Sequence, residues 1–229
     1  MPTRAVIFDL DGCLVDSEPQ SLEALTAELR AAGLADVSTA ELGERFLGVS
    51  LAVILDWAAK RSGHPLPGDL ADRFEARLFA SYRDGLTVID GVPDLLDRLA
   101  SDGIACAIAT GGSVRRMNET LRISGLASRF AGGAFSADEV AQGKPAPDLF
   151  ELAARRLGIS QDACVVLEDS PHGIEGARRA GMRAIGFTGG AHLDGRRDAH
   201  ADLLRAKGAE AVLCRMEGMA EALLAPVRG

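Results

Sequence analysis

The sequence predicts an α/β protein, built on a parallel sheet with flanking helices, that carries an all-helical insert near its start. From residue 104 onward, short apolar runs alternate with amphipathic helical patterns, which is the rhythm of consecutive βα units. Residues 17–86 contain no strand-like run but several amphipathic stretches in succession. A chain of 229 residues buries roughly 70% of its unfolded surface, enough for one large domain with an insert. We therefore expect a core domain at 1–16 and 87–229 and a helical domain at 17–86.

Six short apolar runs are the predicted strands. The first, AVIF at residues 5–8, ends abruptly at Asp9 and Asp11, two acidic residues separated by a single leucine. Helices with clear ends lie between the later runs, such as the one that starts at Pro147 and stops at Gly158. The other predicted strands are IACAIA (104–109), AGGAFS (131–136), ACVVL (163–167), MRAIGF (182–187) and EAVL (210–213).

The predicted insert begins with the spacing of a helix-capping box. Ser17 and Gln20 stand three residues apart, so we expect the first helix to start at Ser17 and to end at Gly33. Ser38 and Glu41 repeat the same pattern at the start of a second helix. An all-helical insert placed directly after an acidic strand end indicates a lid over that end of the sheet.

Composition and charge argue against several classes of function. The net charge is −8 and no block of Lys or Arg could neutralise a row of phosphates, which disfavours nucleic acid and anionic membranes as partners. Aromatic residues, at 4%, are too few for a base-stacking platform. No stretch is long enough to span a bilayer, and the N-terminal apolar run is too short for a signal peptide.

The cysteines carry no recognisable metal or redox motif. The chain has four of them, and no two form a C-x-x-C pair that would indicate zinc or dithiol chemistry. Three of them lie in or beside apolar runs, and we expect these three to behave as small buried apolar residues in a reducing cytoplasm. Nothing in the sequence demands more than a monomer. The four cysteines are Cys13, Cys106, Cys164 and Cys214.

Polar residues follow three of the predicted strands at the point where each one ends. Asp9 and Asp11 follow the first strand, TGGS at 110–113 follows the second, and EDS at 168–170 follows the fourth. Lys144 stands just before a helix that starts with proline. Because the carboxyl ends of parallel strands meet at one edge of a sheet, we expect all these residues to lie close together there.

These residue types suit a magnesium ion and a phosphate group. Mg²⁺ prefers hard oxygen ligands, and its charge explains how neighbouring carboxylates stay ionised. Gly111 and Gly112 allow backbone N–H groups to approach a phosphate closely, and Thr110 adds a hydroxyl donor. Lys144 would balance the negative charge of the group being transferred. The sequence therefore predicts a phosphate- and Mg²⁺-binding site at this edge.

The motifs, in this order, resemble those of the haloacid dehalogenase superfamily, most of whose members are phosphatases. DLDGCLVDSEP (9–19) resembles the first family motif, Thr110 the second, Lys144 the third and EDSPHGIEGARRAG (168–181) the fourth. The insert resembles the helical cap of the subgroup that contains β-phosphoglucomutase and small sugar-phosphate phosphatases. The resemblance covers essentially the whole chain, and it implies a Rossmann-like parallel core with an inserted helical cap domain.

The resemblance also implies a role for each motif residue. Asp9 would be the nucleophile that forms an aspartyl-phosphate, and Asp11 would protonate the leaving alcohol and then activate water. Magnesium would be held by Asp9, the Asp11 main-chain carbonyl and Asp169, with Glu168 close by. The remaining expected site residues are Thr110 and Lys144 as catalytic groups, and Gly12, Gly111, Gly112, Ser113 and Arg116 as groups that bind the phosphate or the substrate.

Two departures separate the chain from the mutase of this subgroup. Leu51 stands where the mutase has an arginine for a second phosphate, and Gln20 and Ser21 stand where it has a histidine that gates the reaction. We therefore predict a Mg²⁺-dependent phosphatase for a small phosphorylated metabolite, a sugar phosphate in the first instance. A β-phosphoglucomutase-like mutase is the first alternative, and a non-catalytic module that binds a phosphorylated metabolite is the alternative from another class.

The last third of the chain contains features that we predict to be structural. The Gly-rich segment FTGGAHLDG (187–195) is expected to be a plain surface loop. His192 and His200 are not paired at a spacing typical of metal ligands, so neither is expected to belong to the site. Arg115 and Arg116 follow the TGGS loop, and one of them is expected to reach the substrate.

Overall fold

A six-stranded sheet forms the centre of the computed structural model, which describes residues 2–226. Its strands are β1 (Ala5–Phe8), β2 (Ala105–Thr110), β3 (Ala134–Ser136), β4 (Cys164–Glu168), β5 (Arg183–Phe187) and β6 (Ala211–Leu213). All adjacent strands are parallel, in the order β3-β2-β1-β4-β5-β6, so β1 lies inside the sheet between β2 and β4. The predicted α/β fold with a parallel core is confirmed.

Helices fill the connections between these strands. Five of them lie between β1 and β2, and the first four form the predicted insert, which no strand of the sheet interrupts. The α-helices of the described residues are α1 (Glu18–Ala31), α2 (Thr39–Phe46), α3 (Leu51–Ser62), α4 (Leu70–Arg83), α5 (Val92–Ser101), α6 (Val114–Ser124), α7 (Asp148–Leu157), α8 (Pro171–Arg179), α9 (Arg197–Ala206) and α10 (Met219–Leu224). Through residues 2–226, no helix combines the length and the apolar character that crossing a membrane requires.

Both faces of the sheet are covered by apolar side chains, as in other all-parallel sheets. Val6 and Phe8 of β1 point to one side and pack in a cluster with residues of α5, α6 and α10. Ala5 and Ile7 point to the opposite side and pack in a second cluster, together with residues of α7 and α8. Because successive side chains of a strand alternate between faces, one short apolar run supplies both cores.

The four inserted helices have an apolar core of their own. Leu29, Leu42, Phe74 and Leu78 are almost fully buried in a cluster separate from the two that cover the sheet. Leu86 packs against this cluster and also against one of the sheet clusters, close to the expected boundary. The boundaries of the cap domain at residues 17 and 86 therefore stay predictions, whereas its all-helical character is observed.

Two local predictions differ from the structure. The predicted strand at 131–136 starts only at Ala134, because a 3-10 helix at Ala127–Phe130 and a turn through Gly132 come before it. The capping box at Ser17 is wrong, since the Ser17 side chain makes no bond to the start of α1. At the second helix, the Ser38 side chain accepts the expected hydrogen bond from the Glu41 N–H at 3.1 Å.

Candidate active site

The carboxyl ends of β1, β2 and β4 bring the predicted site residues together at one edge of the sheet. The strands are in register, with Phe8 beside Leu167 and Ile108, so the residues that follow each strand emerge side by side. The Asp9 N–H continues the ladder beyond β1 by donating to the Leu167 carbonyl at 2.9 Å. Asp9 and Asp169 are consequently buried neighbours, with 4% and 1% of their surfaces exposed.

Lys144 lies inside this cluster of carboxylates. Its side chain is fully buried, and its Nζ donates to Asp9 Oδ1 at 2.5 Å and to Glu168 Oε1. The other oxygen of Glu168, Oε2, accepts from the Ser170 N–H at 2.8 Å. Both Glu168 oxygens therefore have partners, which suits a residue that orients Lys144. Its expected place beside the metal stays a prediction.

The site disfavours the charged form of its aspartates but favours the charged form of its lysine. Burial raises the pKa of Asp9 well above its ordinary value, and the charges of Glu168 and Asp169 raise it further, against the opposing effect of Lys144. Burial, followed by the charge of Glu168, raises the pKa of Asp169 in the same direction. Burial alone would lower the pKa of Lys144, but the adjacent carboxylates outweigh it and raise that pKa. The lysine therefore stays protonated. Its single charge does not offset the burial and mutual repulsion of the carboxylates around it.

Asp11 is held by three side chains. Its Oδ1 accepts from Ser17 Oγ at 2.5 Å and lies 2.9 Å from Arg116 Nη2, and its Oδ2 accepts from Thr110 Oγ1 at 3.4 Å. The Arg116 side chain is 13% exposed, and the charge of Asp11 raises its pKa against the effect of burial. The structure thus brings Arg116 into the site as expected, where its partner is Asp11. Its contact with a substrate phosphate stays a prediction.

The TGGS loop forms a tight turn between β2 and α6. The Gly112 N–H donates to Thr110 Oγ1 at 3.0 Å, which turns the loop back over the strand end. Ser113 caps α6 by accepting from the Arg116 N–H at 2.9 Å, and its hydroxyl donates to Glu75 of the cap helix α4. Ser113 therefore also links the core to the cap, which spacing along the chain does not indicate.

A loop of the cap covers the TGGS loop. A Cβ atom at Gly111 would lie 2.9 Å from the Gly48 carbonyl oxygen, so the two backbones are in close contact. Gly48 has a φ of +80° and packs against Ser170, where a side chain would collide. The Leu47 carbonyl lies 3.1 Å from His172 Nδ1, a second contact between cap and core. The cap is therefore closed over the carboxylates.

A cavity of about 1160 Å³ lies beside the carboxylates, between the cap and the core. Lys144, Gly111 and Ser113 line it on the core side, whereas Asp9 and Asp11 lie deeper, beneath the closed cap loop. Its remaining wall is largely aliphatic and includes Val49, Leu51, Val53, Val114 and Val140. Leu51, which replaces the arginine of the mutase, thus lies where it can face the leaving group of a substrate.

The charges and donors of this site fit a divalent cation. Within the described part of the chain, no three His, Cys, Asp or Glu side chains form a preformed metal cage. Mg²⁺ needs no such cage, because it usually takes one or two protein carboxylates and completes its shell with water and substrate oxygens. The site has two cations, Lys144 and Arg116, against four carboxylates, those of Asp9, Asp11, Glu168 and Asp169. When all six groups are ionised, two negative charges remain without a partner, and one divalent cation would balance them.

A carboxylate oxygen of this site accepts no hydrogen bond from the described residues and is free to bind a metal ion. Asp169 Oδ2 is buried, and none of the residues 2–226 donates a hydrogen bond to it. Its nearby polar neighbour is His192 Nε2, which lies 3.0 Å away but is not aligned to donate. Gly12, predicted to contact the phosphate, lies directly against this oxygen, because a Cβ atom there would come within 2.4 Å of it. Its φ of +80° independently favours glycine. A larger residue at position 12 would therefore block the site.

The sequence analysis did not predict that three further residues lie in or near the site. Ser17 has the sequence of a helix cap but hydrogen-bonds to Asp11 instead. Glu18, in the first turn of α1, has its pKa raised to about 7 by burial, although Arg116 opposes the shift. His192 lies with its Nε2 3.0 Å from Asp169 Oδ2 and its side chain 1% exposed, so the prediction of a plain surface loop at 187–195 is wrong there. No spacing rule connects residue 192 to residue 169.

Comparisons with known proteins decide the family. The profile of the haloacid dehalogenase-like hydrolases matches residues 3–181, most of the chain. The chain belongs to this family. The predicted family is therefore confirmed, and so is the predicted enzyme class, a phosphoric monoester hydrolase.

Similar proteins span nearly the whole chain. Protein CbbY of Rhodobacter capsulatus is 34% identical over 81% of this chain and 85% of its own length. Hexitol phosphatase A of Escherichia coli is 33% identical over 81% of this chain and 83% of its own. A haloacid dehalogenase-like protein of Agrobacterium tumefaciens has a solved structure that superposes with a TM-score of 0.76 at 38% identity, and the match covers 96% of this chain and 97% of that one.

Proposed function

We propose that this protein hydrolyses a small phosphorylated carbohydrate in a Mg²⁺-dependent reaction that passes through an aspartyl-phosphate on Asp9. One observation carries the proposal: the buried Lys144 pairs with Asp9, while the neighbouring Asp169 keeps a buried carboxylate oxygen that accepts no hydrogen bond from the described part of the chain. A buried cation and a buried, uncompensated anion beside one nucleophile suit a phosphoryl group and a metal ion. The names of the relatives, which include a hexitol phosphatase, support a carbohydrate phosphate as the substrate class.

In the first step, a carboxylate oxygen of Asp9 attacks phosphorus, and the bond from phosphorus to the leaving alcohol oxygen breaks. Asp11 gives its proton to that oxygen. Lys144 balances the charge that spreads over the phosphoryl oxygens, and the TGGS loop presents N–H and hydroxyl donors to them. These groups are buried, so each interaction is stronger than it would be in water.

In the second step, water attacks the aspartyl-phosphate and Asp11 accepts a proton from it, which releases inorganic phosphate and restores Asp9. Ser17, Thr110 and Arg116 hold Asp11 in place for both proton transfers. Asp9, Asp169 and the main-chain carbonyl of Asp11 would hold Mg²⁺, which when bound neutralises charge on the phosphoryl group. Glu168 would act by orienting Lys144.

The cap would exclude water and select the leaving group. Substrate must enter while the loop at 47–50 is lifted from the core, and the alcohol portion would then lie in the cavity beside Lys144. Leu51 puts no cation at the place where the mutase has its arginine, although Arg45 and Arg115 line other parts of the same cavity. Gln20, where the mutase has its histidine, donates to the Ser81 carbonyl at 3.4 Å. Both observations disfavour the mutase alternative. A monomeric state and a cytoplasmic location stay predictions.

The first test measures phosphate release from hexitol phosphates, hexose phosphates, phosphoglycolate and nucleotides, with Mg²⁺ and then with EDTA. We expect metal-dependent release that is highest on a carbohydrate phosphate, and full recovery when Mg²⁺ replaces EDTA. Release from no compound, by protein that binds Mg²⁺, would favour the non-catalytic binding module. Turnover that requires a sugar bisphosphate activator would favour the mutase.

The second test separates the two steps through Asp11. With p-nitrophenyl phosphate, whose leaving group needs no proton, Asp11→Asn should form the aspartyl-phosphate but hydrolyse it about 10²- to 10⁴-fold more slowly. Intact-protein mass spectrometry after an acid quench should then detect phosphorylated protein. Asp36→Asn, which removes an exposed carboxylate paired with Arg61, is the matched control. Wild-type turnover by Asp11→Asn would remove Asp11 from the mechanism.

A further inference from the structure

The connection from β5 to α9 folds back onto the candidate active site. The Ala191 N–H donates to Asp16 Oδ1 at 3.0 Å, which attaches this connection to the end of the first motif. Leu193 is fully buried two residues later, so the short 3-10 helix at Ala191–Leu193 is anchored from both sides. His192, between these two anchors, points inward.

The ring of His192 is confined between two glycine backbones and Asp169. Its Nε2 lies 3.0 Å from Asp169 Oδ2, and both side chains are almost fully buried. The two atoms are in contact but are not aligned as a hydrogen bond. A Cβ atom at Gly12 would lie 2.8 Å from the ring, and one at Gly190 would lie 2.7 Å from it. The two glycines therefore leave space for an imidazole at this place and restrict how far the ring can turn.

A second histidine, in the helix that follows this connection, contacts the main chain of Asp169. His200, in α9, has its Nε2 2.7 Å from the Asp169 carbonyl oxygen. A carbonyl oxygen only accepts hydrogen bonds, so His200 Nε2 carries a proton and donates to the Asp169 carbonyl. Asp169 is thus contacted at its side chain by His192 and at its backbone by His200.

We propose that His192 and His200 are positioning residues that hold Asp169 in the orientation that binds the metal ion. His192 acts on the carboxylate and His200 on the peptide group, so both rotation about the side chain and movement of the backbone are restricted. Partners of this kind fix ligand orientation, and removing one typically weakens metal binding 10- to 100-fold. The inference rests on the proposed function only through the assignment of Asp169 to the metal site.

The test is Mg²⁺ binding by isothermal titration calorimetry on chelator-treated protein without substrate. His192→Leu keeps an apolar side chain in the space but removes the polar contact, and we expect its Kd for Mg²⁺ to rise about 10- to 100-fold. His192→Gln keeps an amide N–H at similar reach and should recover most of the affinity. His64→Leu replaces an exposed histidine of the cap and should leave the Kd unchanged. Thermal unfolding in EDTA checks that each variant is folded.

The inference is tested by comparing the Mg²⁺ affinities of His192→Leu and His192→Gln. Wild-type affinity in His192→Leu, or equal weakening in His192→Leu and His192→Gln, would overturn the inference, because a role in packing alone predicts one of these results. If His192→Leu does not fold, the same comparison between His200→Leu and His200→Gln replaces it. A wild-type protein that binds no Mg²⁺ would overturn the proposed metal site itself. The two failures are therefore distinguishable.

Discussion

Asp9→Asn is expected to lower phosphatase turnover by about 10⁴-fold or more while the protein stays folded. An amide cannot attack phosphorus to form the acyl phosphate, so the two-step route is closed rather than slowed. The fold should tolerate the change, because asparagine has nearly the same shape and removes one of several mutually repelling buried charges. Phosphate release from the best substrate of the panel, under saturating Mg²⁺, measures the effect.

Two controls make this result specific. Asp36→Asn removes an exposed carboxylate of the cap and should keep wild-type turnover. The melting temperature of Asp9→Asn in EDTA should equal or exceed that of the wild type, because the lost charge was buried and its pKa was raised. Substantial hydrolysis by Asp9→Asn, in a preparation free of other phosphatases, would contradict the nucleophile assignment and the mechanism built on it.

Lys144→Met is expected to remove both activity and about 3–5 kcal/mol of the free energy of unfolding, measured in EDTA. The side chain is fully buried between Asp9 and Glu168. Methionine fills a similar volume but leaves those carboxylates without their cation, and an uncompensated buried charge is costly. A urea titration followed by circular dichroism gives the free energy, and the metal is withheld so that it cannot replace the lost charge.

An exposed lysine gives the matched comparison. Lys60 pairs with Asp56 one helical turn away, at 2.6 Å, but the two side chains are 76% and 65% exposed. Lys60→Met should therefore change the free energy of unfolding by less than about 1 kcal/mol, because water and salt screen such pairs. Equal effects of the two substitutions would show that Lys144 is not the main compensating charge of the site.

The elements of the core follow from local sequence patterns. The run at 5–8 is apolar at every position because β1 is buried on both faces of the sheet, and the run that forms β4 is buried in the same way. Since parallel strands end at a common edge, the polar residues that follow these runs had to meet. Asp9, Thr110 and Asp169 are neighbours for that reason, and no contact had to be known in advance.

Two local predictions failed, the helix cap at Ser17 and the strand start at residue 131. The spacing of Ser17 and Gln20 is that of a helix cap, but the Ser17 hydroxyl donates to Asp11 instead. A hydrogen bond to a carboxylate is stronger than one between neutral groups, so the nearby carboxylate takes this hydroxyl. The run at 131–136 has an apolar character that suits a strand, yet its first residues form a turn after the 3-10 helix at 127–130. In both places a contact distant in sequence or the geometry of a neighbouring turn outweighed the local pattern.

Local sequence patterns are enough to predict the succession of strands and helices along the chain, the helical insert and the edge of the sheet where Asp9 lies, because periodicity and strand ends are local properties. The tertiary structure alone decided the pairing of Arg116 with Asp11, the closure of the cap over Gly111, and the return of His192 to Asp169. These contacts join residues far apart in the chain through the packing of whole elements. Spacing along one sequence contains no measure of that packing, so such contacts become visible only when the elements are assembled.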